Sequence, residues 1–210
     1  MRRISFAFST FFFFGLVACS SPKKKMELTF KDIEGKKVAL VSIDAEPTTR
    51  KIVEVSLVNE LVQHGSFILI PKQDIQSVKN RPSQDPRDEQ HIASQAGADF
   101  ALNLHVLDFS AETREGYSKE EVIDSQLAEE MGTQGKTERF FKVKELIGRV
   151  ELEWEWTHLA SGQKIQTKTE AQESVRAEAK NTSIHLPLRM QFLAQLTQKA
   201  VSRFFKHLLP

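Results

Sequence analysis

The chain has 210 residues, a formal net charge of +1, 15 phenylalanines, one tyrosine and one cysteine. A single cysteine excludes an internal disulfide, a cysteine-built zinc site and a CxxC redox pair. Near-neutral charge excludes nucleic-acid binding through a broadly basic surface, and 40% hydrophobic with 27% charged residues is a globular composition with material for one core.

The phenylalanines are unevenly spread. Six of the 15 fall in the first 18 residues, four of them consecutive from Phe11 to Phe14. Arg2 and Arg3 form a short positive start, and Ile4 to Val17 is apolar apart from Ser5, Ser9, Thr10 and Gly15. Fourteen helical residues span about 21 Å, short of the roughly 30 Å hydrocarbon core. The segment therefore reads as a secretory signal, residues 1–18, rather than a membrane span. The arginine pair also suggests a twin-arginine signal, but so apolar a segment fits the general secretory route better.

Leu16-Val17-Ala18-Cys19 resembles the lipobox of bacterial lipoproteins. Small Ala18 lets a peptidase approach the backbone, and the Cys19 thiol is the most nucleophilic side-chain atom for alkylation. The alternative is a buried cysteine that happens to follow an apolar run. The order of charge, apolar run, small residue and cysteine predicts cleavage after Ala18 and acylation of Cys19, which would hold the chain in membrane lipid. Ser20, where an Asp would direct retention, points to the periplasmic face of the outer membrane rather than the inner. Loss of both arginines takes the net charge from +1 to −1. Residues 19–35 read as a tether, and Lys23-Lys24-Lys25 either rest on anionic headgroups or form a solvated run.

Residues 36–210 read as a single domain. Lys37 to Ile43 is a β-rich apolar run. Arg50 to His64 is an amphipathic helix with Ile52, Val55, Val58, Leu61 and Val62 expected on its buried side, closed by Gly65. Phe67 to Ile70 is a short strand ended by Pro71, and Asp74 to Lys79 makes one or two helical turns. Asn80 to Asp88 is a loop, Arg87 to Ala96 a helix, and Phe100 to Phe109 a strand with Phe100, Leu102, Leu104 and Val106 on one face. Residues 110–137 break the alternation and read as an insert, with helical spacing over Ser118 to Glu130 and a Ser118–Glu121 capping box.

A long strand starts at Glu138, where Leu146, Val150, Leu152, Trp154 and Trp156 alternate with Arg149, Glu151, Glu153 and Glu155. Ala160-Ser161-Gly162 turns the chain, and Lys164 to Val175 returns, its lysines placed to pair with the glutamate row. Pro187 to Leu209 is a helix with Met190, Leu193, Leu196, Ala200, Phe204 and Leu208 toward the core. The fold class is α/β (α+β), a single sandwich of a mixed sheet with helices packed on it.

No catalytic constellation emerges. Gly132 to Thr137 (GTQGKT) ends like a phosphate-binding loop, but Glu130 stands where its first glycine belongs, and a β pattern follows instead of a helix. The six histidines, His64, His91, His105, His158, His185 and His207, show no metal-ligand spacing. No serine sits in a GxSxG elbow. The reading is a non-enzyme with no catalytic residue, no metal and no cofactor. Trp154 and Trp156 are expected in the core; a patch for a protein partner is the alternative.

The helix ending Leu61-Val62-Gln63-His64-Gly65, the strand Phe67 to Pro71, and Ile92-Ala93-Ser94-Gln95-Ala96-Gly97-Ala98-Asp99-Phe100-Ala101-Leu102 together resemble a family of periplasmic domains. That family includes the curli secretion lipoprotein CsgG, the penicillin-binding protein activator LpoB and the N-terminal domain of TolB. Leu159 to Ile165 is similar to its TG-containing hairpin turn, with Ser161 in place of Thr. The likeness covers roughly residues 36–109 and 146–209. It implies an interaction fold without catalysis, in an envelope adaptor or regulator of the LpoB type that meets a periplasmic or envelope protein. The alternative is a subunit of a CsgG-like secretion channel, and an envelope hydrolase ranks below both. Two features depart from the family: the tether is short for an LpoB-like activator, and Lys164 to Val175 offers lipid only Ile165, Ala171 and Val175.

Overall fold

A computed structural model describes residues 30–65, 67–80, 89–123, 136–179 and 184–208. Helix α1 (Phe30–Ile33) leads into β1 (Lys37–Asp44), α2 (Pro47–His64) and the two-residue β2 (Ile68–Leu69). Then come α3 (Lys72–Lys79), α4 (Glu89–Gln95), β3 (Phe100–Ile123), β4 (Lys136–His158), β5 (Gln163–Glu178) and α5 (Arg189–Leu208). The sheet order is β2-β1-β3-β4-β5, with β2, β1 and β3 parallel and β4 and β5 antiparallel to their neighbours. This is the mixed-sheet α/β sandwich expected from the sequence.

Two apolar layers hold it together. On one face, α2 and α5 cover the sheet through Val53, Leu57, Leu193, Leu196 and Phe204, packed on Leu102, Leu104, Val150 and Leu152. On the other, α3 and α4 cover only the parallel part, placing Ile75, Val78, Ile92 and Ala93 on Ala39, Val41 and Ala101. No described helix packs on the outer face of β4 and β5, where the glutamate row of β4 lies.

A bulge at Val41 decides which residue faces which layer. The β1–β3 register shifts between Leu40 and Ser42. Strand alternation would point Ile43 toward α3 and α4; the extra residue reverses the later half of β1. Ile43 thus joins the α2–α5 core, while Ser42 shares the opposite face with Asn103.

The family-like Gly97-Ala98-Asp99 segment ties three strands. Gly97 has φ +77°, a conformation that favours glycine, as the chain leaves α4. The Asp99 backbone N–H then donates to the Lys37 carbonyl at 2.8 Å, its side chain accepts from the Lys37 N–H at 2.9 Å, and its carbonyl accepts from Leu159 N–H at 3.0 Å.

The structure corrects four sequence readings. The buried stripe of α2 is Val53, Ser56, Leu57, Glu60 and Leu61, whereas Val55, Val58 and Val62 are 59%, 42% and 81% exposed. Residues 110–137 are not an irregular insert over their described part: β3 continues to Ile123 and β4 begins at Lys136. The helix and capping box read from Ser118 to Glu130 are therefore strand over Ser118 to Ile123, and residues 124–130 lie outside the described residues. The tether does not reach residue 35, because Ile33 is fully buried in the core and its carbonyl accepts from Lys36 N–H. Met190, read as core-facing in the last helix, is 44% exposed, and Phe192 and Phe205 take core positions instead.

Candidate functional site

Ala18 and Cys19 lie outside the described residues. Trp154 and Trp156 lie inside and are both 0% exposed. Both indoles stack on Phe204, at ring-centroid distances of 4.0 and 5.7 Å, and Trp154 Nε1 donates to Thr169 Oγ1 at 2.9 Å. Their alternation on β4 sends them toward α5, so they form core and present no patch to a partner in this fold.

Polar side chains gather where β1 ends beside the first residues of β3, on the face away from α2 and α5. Ser42 donates to Asn103 Oδ1 at 2.9 Å, and Asn103 Nδ2 donates to Glu89 at 2.6 Å. One pleat further on, Asp44 lies 3.6 Å from His105 Nδ1. The rows continue across the sheet, since Asn103 pairs with Glu155 and His105 with Glu153. Lys164 donates to Glu155 at 2.9 Å and Lys168 lies 3.4 Å from Glu153, the glutamate–lysine pairing that the hairpin sequence suggested. Glu155 is held below the usual glutamate range, first by the hydrogen bond from Lys164, against the opposing effect of burial. The Ser42 hydroxyl is spent on Asn103, so this cluster is a fixed electrostatic surface rather than a nucleophile with its base. Among the described residues no three His, Cys, Asp or Glu side chains converge as a metal-holding group.

A different surface exposes large apolar side chains. Beyond Val143, β4 has lost β5, whose final pairing is Glu178 with Val143. β3 and β4 continue as a two-stranded ribbon from the Tyr117–Lys142 pair to the Ile123–Lys136 pair. Pleating places Tyr117, Lys119, Phe140 and Lys142 on the face that α5 covers further along. Past the helix that face is open, leaving Tyr117 76% and Phe140 65% exposed. Around them, Glu115 takes Lys144 at 2.6 Å and Lys142 at 3.0 Å, and Lys119 pairs with Glu138. Hydrogen bonds from Lys144 and then Lys142 lower the Glu115 pKa, and Glu115 in turn raises that of Lys142.

Helix α5 enters at this end, since Phe192 and Leu196 pack over Gly148 while Phe204 stacks on Trp154. Leu188 and Met190, 76% and 44% exposed, therefore sit at the end of α5 nearest the ribbon. Sequence reading missed this face. The sign of it was Phe140 and Phe141 inside the charged run Lys136 to Lys144, which a single strand cannot bury on both sides.

No family model matches the chain, and no curated protein matches it. Among solved structures it is similar to lipoprotein GNA1162 of Neisseria meningitidis, with 9% identity, 82% of this chain and 99% of that one covered, and a TM-score of 0.41. It is similar also to PelC of Paraburkholderia phytofirmans, solved as a dodecamer, with 10% identity, coverage of 89% and 95%, and a TM-score of 0.42. Likenesses this loose say nothing of what the chain does.

Proposed function

We propose that this chain is a lipoprotein of the bacterial envelope, acylated at Cys19, that acts as a non-enzymatic adaptor or regulator in envelope assembly at the periplasmic face of the outer membrane. The observation that carries the reading is the ordered signal of Arg2-Arg3, the apolar run Ile4 to Val17, and Leu16-Val17-Ala18-Cys19. No described helix is long and apolar enough to cross a membrane. The exposed Tyr117, Phe140, Leu188 and Met190 supply the surface for a protein partner, since aromatic and methionine side chains are enriched in interface centres. The LpoB-like role follows from the resemblance in sequence pattern and belongs to the same reading.

Metabolic labelling with a clickable fatty acid tests the anchor. Wild type should take up label and sediment with membranes, while Cys19→Ala should do neither; an unlabelled wild type sinks the reading. A photo-crosslinker at position 140 tests the adaptor role. It should capture one defined envelope protein in cells that carry the wild-type Cys19, and the same capture from position 166 on β5 would remove the ribbon from the proposal.

The channel alternative gains from the length of the β3–β4 hairpin. It loses from chemistry, because neither ribbon face is apolar: Lys119 and Glu138 interrupt one, Glu120 and Arg139 the other. Native mass measurement in detergent separates the two, a ring favouring the channel.

A further inference from the structure

β2 ends at Leu69, so the carboxyl half of β1 has no described strand beside it on that edge. Helices α2 and α3 flank the gap and leave a cleft of about 310 Å³. That volume is at the lower end of the range of small-molecule sites. The cleft opens at the carboxyl ends of parallel strands, the position where open α/β sheets bind ligands.

Its floor is apolar, with Val41, Ile43, Ile70 and Ile75 all buried. Its rim is cationic. Among the described residues Arg50, Lys72 and Lys79 line it against a single carboxylate, Glu54. Lys72 donates to both Glu54 oxygens, at 3.0 and 2.9 Å, so that pair neutralises itself and braces α3 against α2 across the gap. Two positive charges remain. Lys79 Nζ is held at 2.8 Å by the carbonyl of Val41, the bulged residue of β1. Arg50 spends one N–H on the Ala45 carbonyl at 3.1 Å and keeps the rest of its fork. Neither of these contacts neutralises charge, because both acceptors are uncharged carbonyls.

We propose that this cleft is a binding site for a small organic anion, its carboxylate or phosphate held by Arg50 and Lys79 and its apolar body laid on Val41, Ile70 and Ile75. The bulge belongs to the site: it turns the Val41 carbonyl toward Lys79 and fixes the ammonium at the cleft wall. The proposal is independent of acylation at Cys19.

Calorimetric titration of the full chain in mild detergent tests it, with benzoate as the anionic probe and benzamide as its neutral isostere. Benzoate should bind saturably at one site, at least about tenfold more tightly than benzamide, and high salt should weaken it. Arg50→Gln, which leaves the Lys79 contact intact, should weaken benzoate about tenfold with benzamide unchanged. Lys79→Met should do the same, and an unchanged melting temperature would confirm that it folds. Absence of saturation by about 10 mM benzoate, equal affinity for benzamide, or an Arg50→Gln variant that binds benzoate as wild type does would each overturn the site.

Discussion

A Cβ placed on Gly148 would lie 2.7 Å from both Leu196 Cδ1 and Phe192 Cε1, so α5 rests directly on the backbone of β4 there. Gly148→Ala should push the helix away and cost about 1–3 kcal/mol, read as a lower urea midpoint at unchanged slope. Six and eight residues further on, the two tryptophans make a contrast. Trp154 Nε1–H has Thr169 as acceptor, while Trp156 Nε1–H has no hydrogen-bond partner among the described residues. Thr169→Val keeps the side-chain shape but orphans the Trp154 donor, and should destabilise by about 1–3 kcal/mol. A Trp156→Phe change, by comparison, removes a donor that is already unsatisfied. Glu155 sets a pH dependence. Its pKa is lowered on folding, chiefly by Lys164, so its stabilising contribution is full above the ordinary glutamate pKa and is lost as pH falls through the depressed folded value. Lys164→Gln should raise the Glu155 titration midpoint toward that of an ordinary glutamate, as followed by carboxyl NMR shifts.

Helix α2 carries two apolar stripes. Val53, Leu57 and Leu61 face α5 and the sheet, while Val55, Val58 and Val62 face outward. Apolar spacing alone selected the wrong one because the buried stripe includes a glutamate. Glu60 is 3% exposed, lies 3.0 Å from His64 one turn on, and accepts from Gln198 on α5 at 2.6 Å, a partner that a local sequence window does not contain. Leu57→Ala should therefore cost about 2–5 kcal/mol in chemical unfolding, and Val58→Ser less than about 0.5 kcal/mol. Strands β1, β3 to Phe109, β4 from Glu138 and β5 were legible because alternation or a compact apolar run marked them. The later part of β3 was not: from Glu112 to Glu120 no side chain is buried, and without a buried face there is no alternation to read. Exchange of backbone amides should follow the same boundary, fast from Tyr117 to Ile123 and slow from Leu102 to Leu104.

At the scale of the molecule, Ile33 is the first described residue locked into the core. Counting from Cys19, at most about 11 residues precede α1, a reach of roughly 40 Å fully extended. If Cys19 is acylated, the domain works within that distance of its membrane, and lengthening the segment by a flexible linker should relax whatever contact depends on it, measurable as loss of the position-140 crosslink. The proposed anchor was legible in sequence because a signal segment is a local pattern. The cleft and the ribbon face were not, because each joins residues far apart in the chain: Arg50 with Lys79, Tyr117 with Phe140. The ribbon also has a mechanical meaning. Seven paired rows stand beyond the last residue of β5, an arm of about 24 Å on a five-stranded platform. An arm clamped at one end concentrates bending at its root. Both of its strands run on into the sheet, and β4 carries Gly148 against α5 and then Trp154 and Trp156 against Phe204. A load at the tip is thus delivered through β4 to α5 and through β3 to β1.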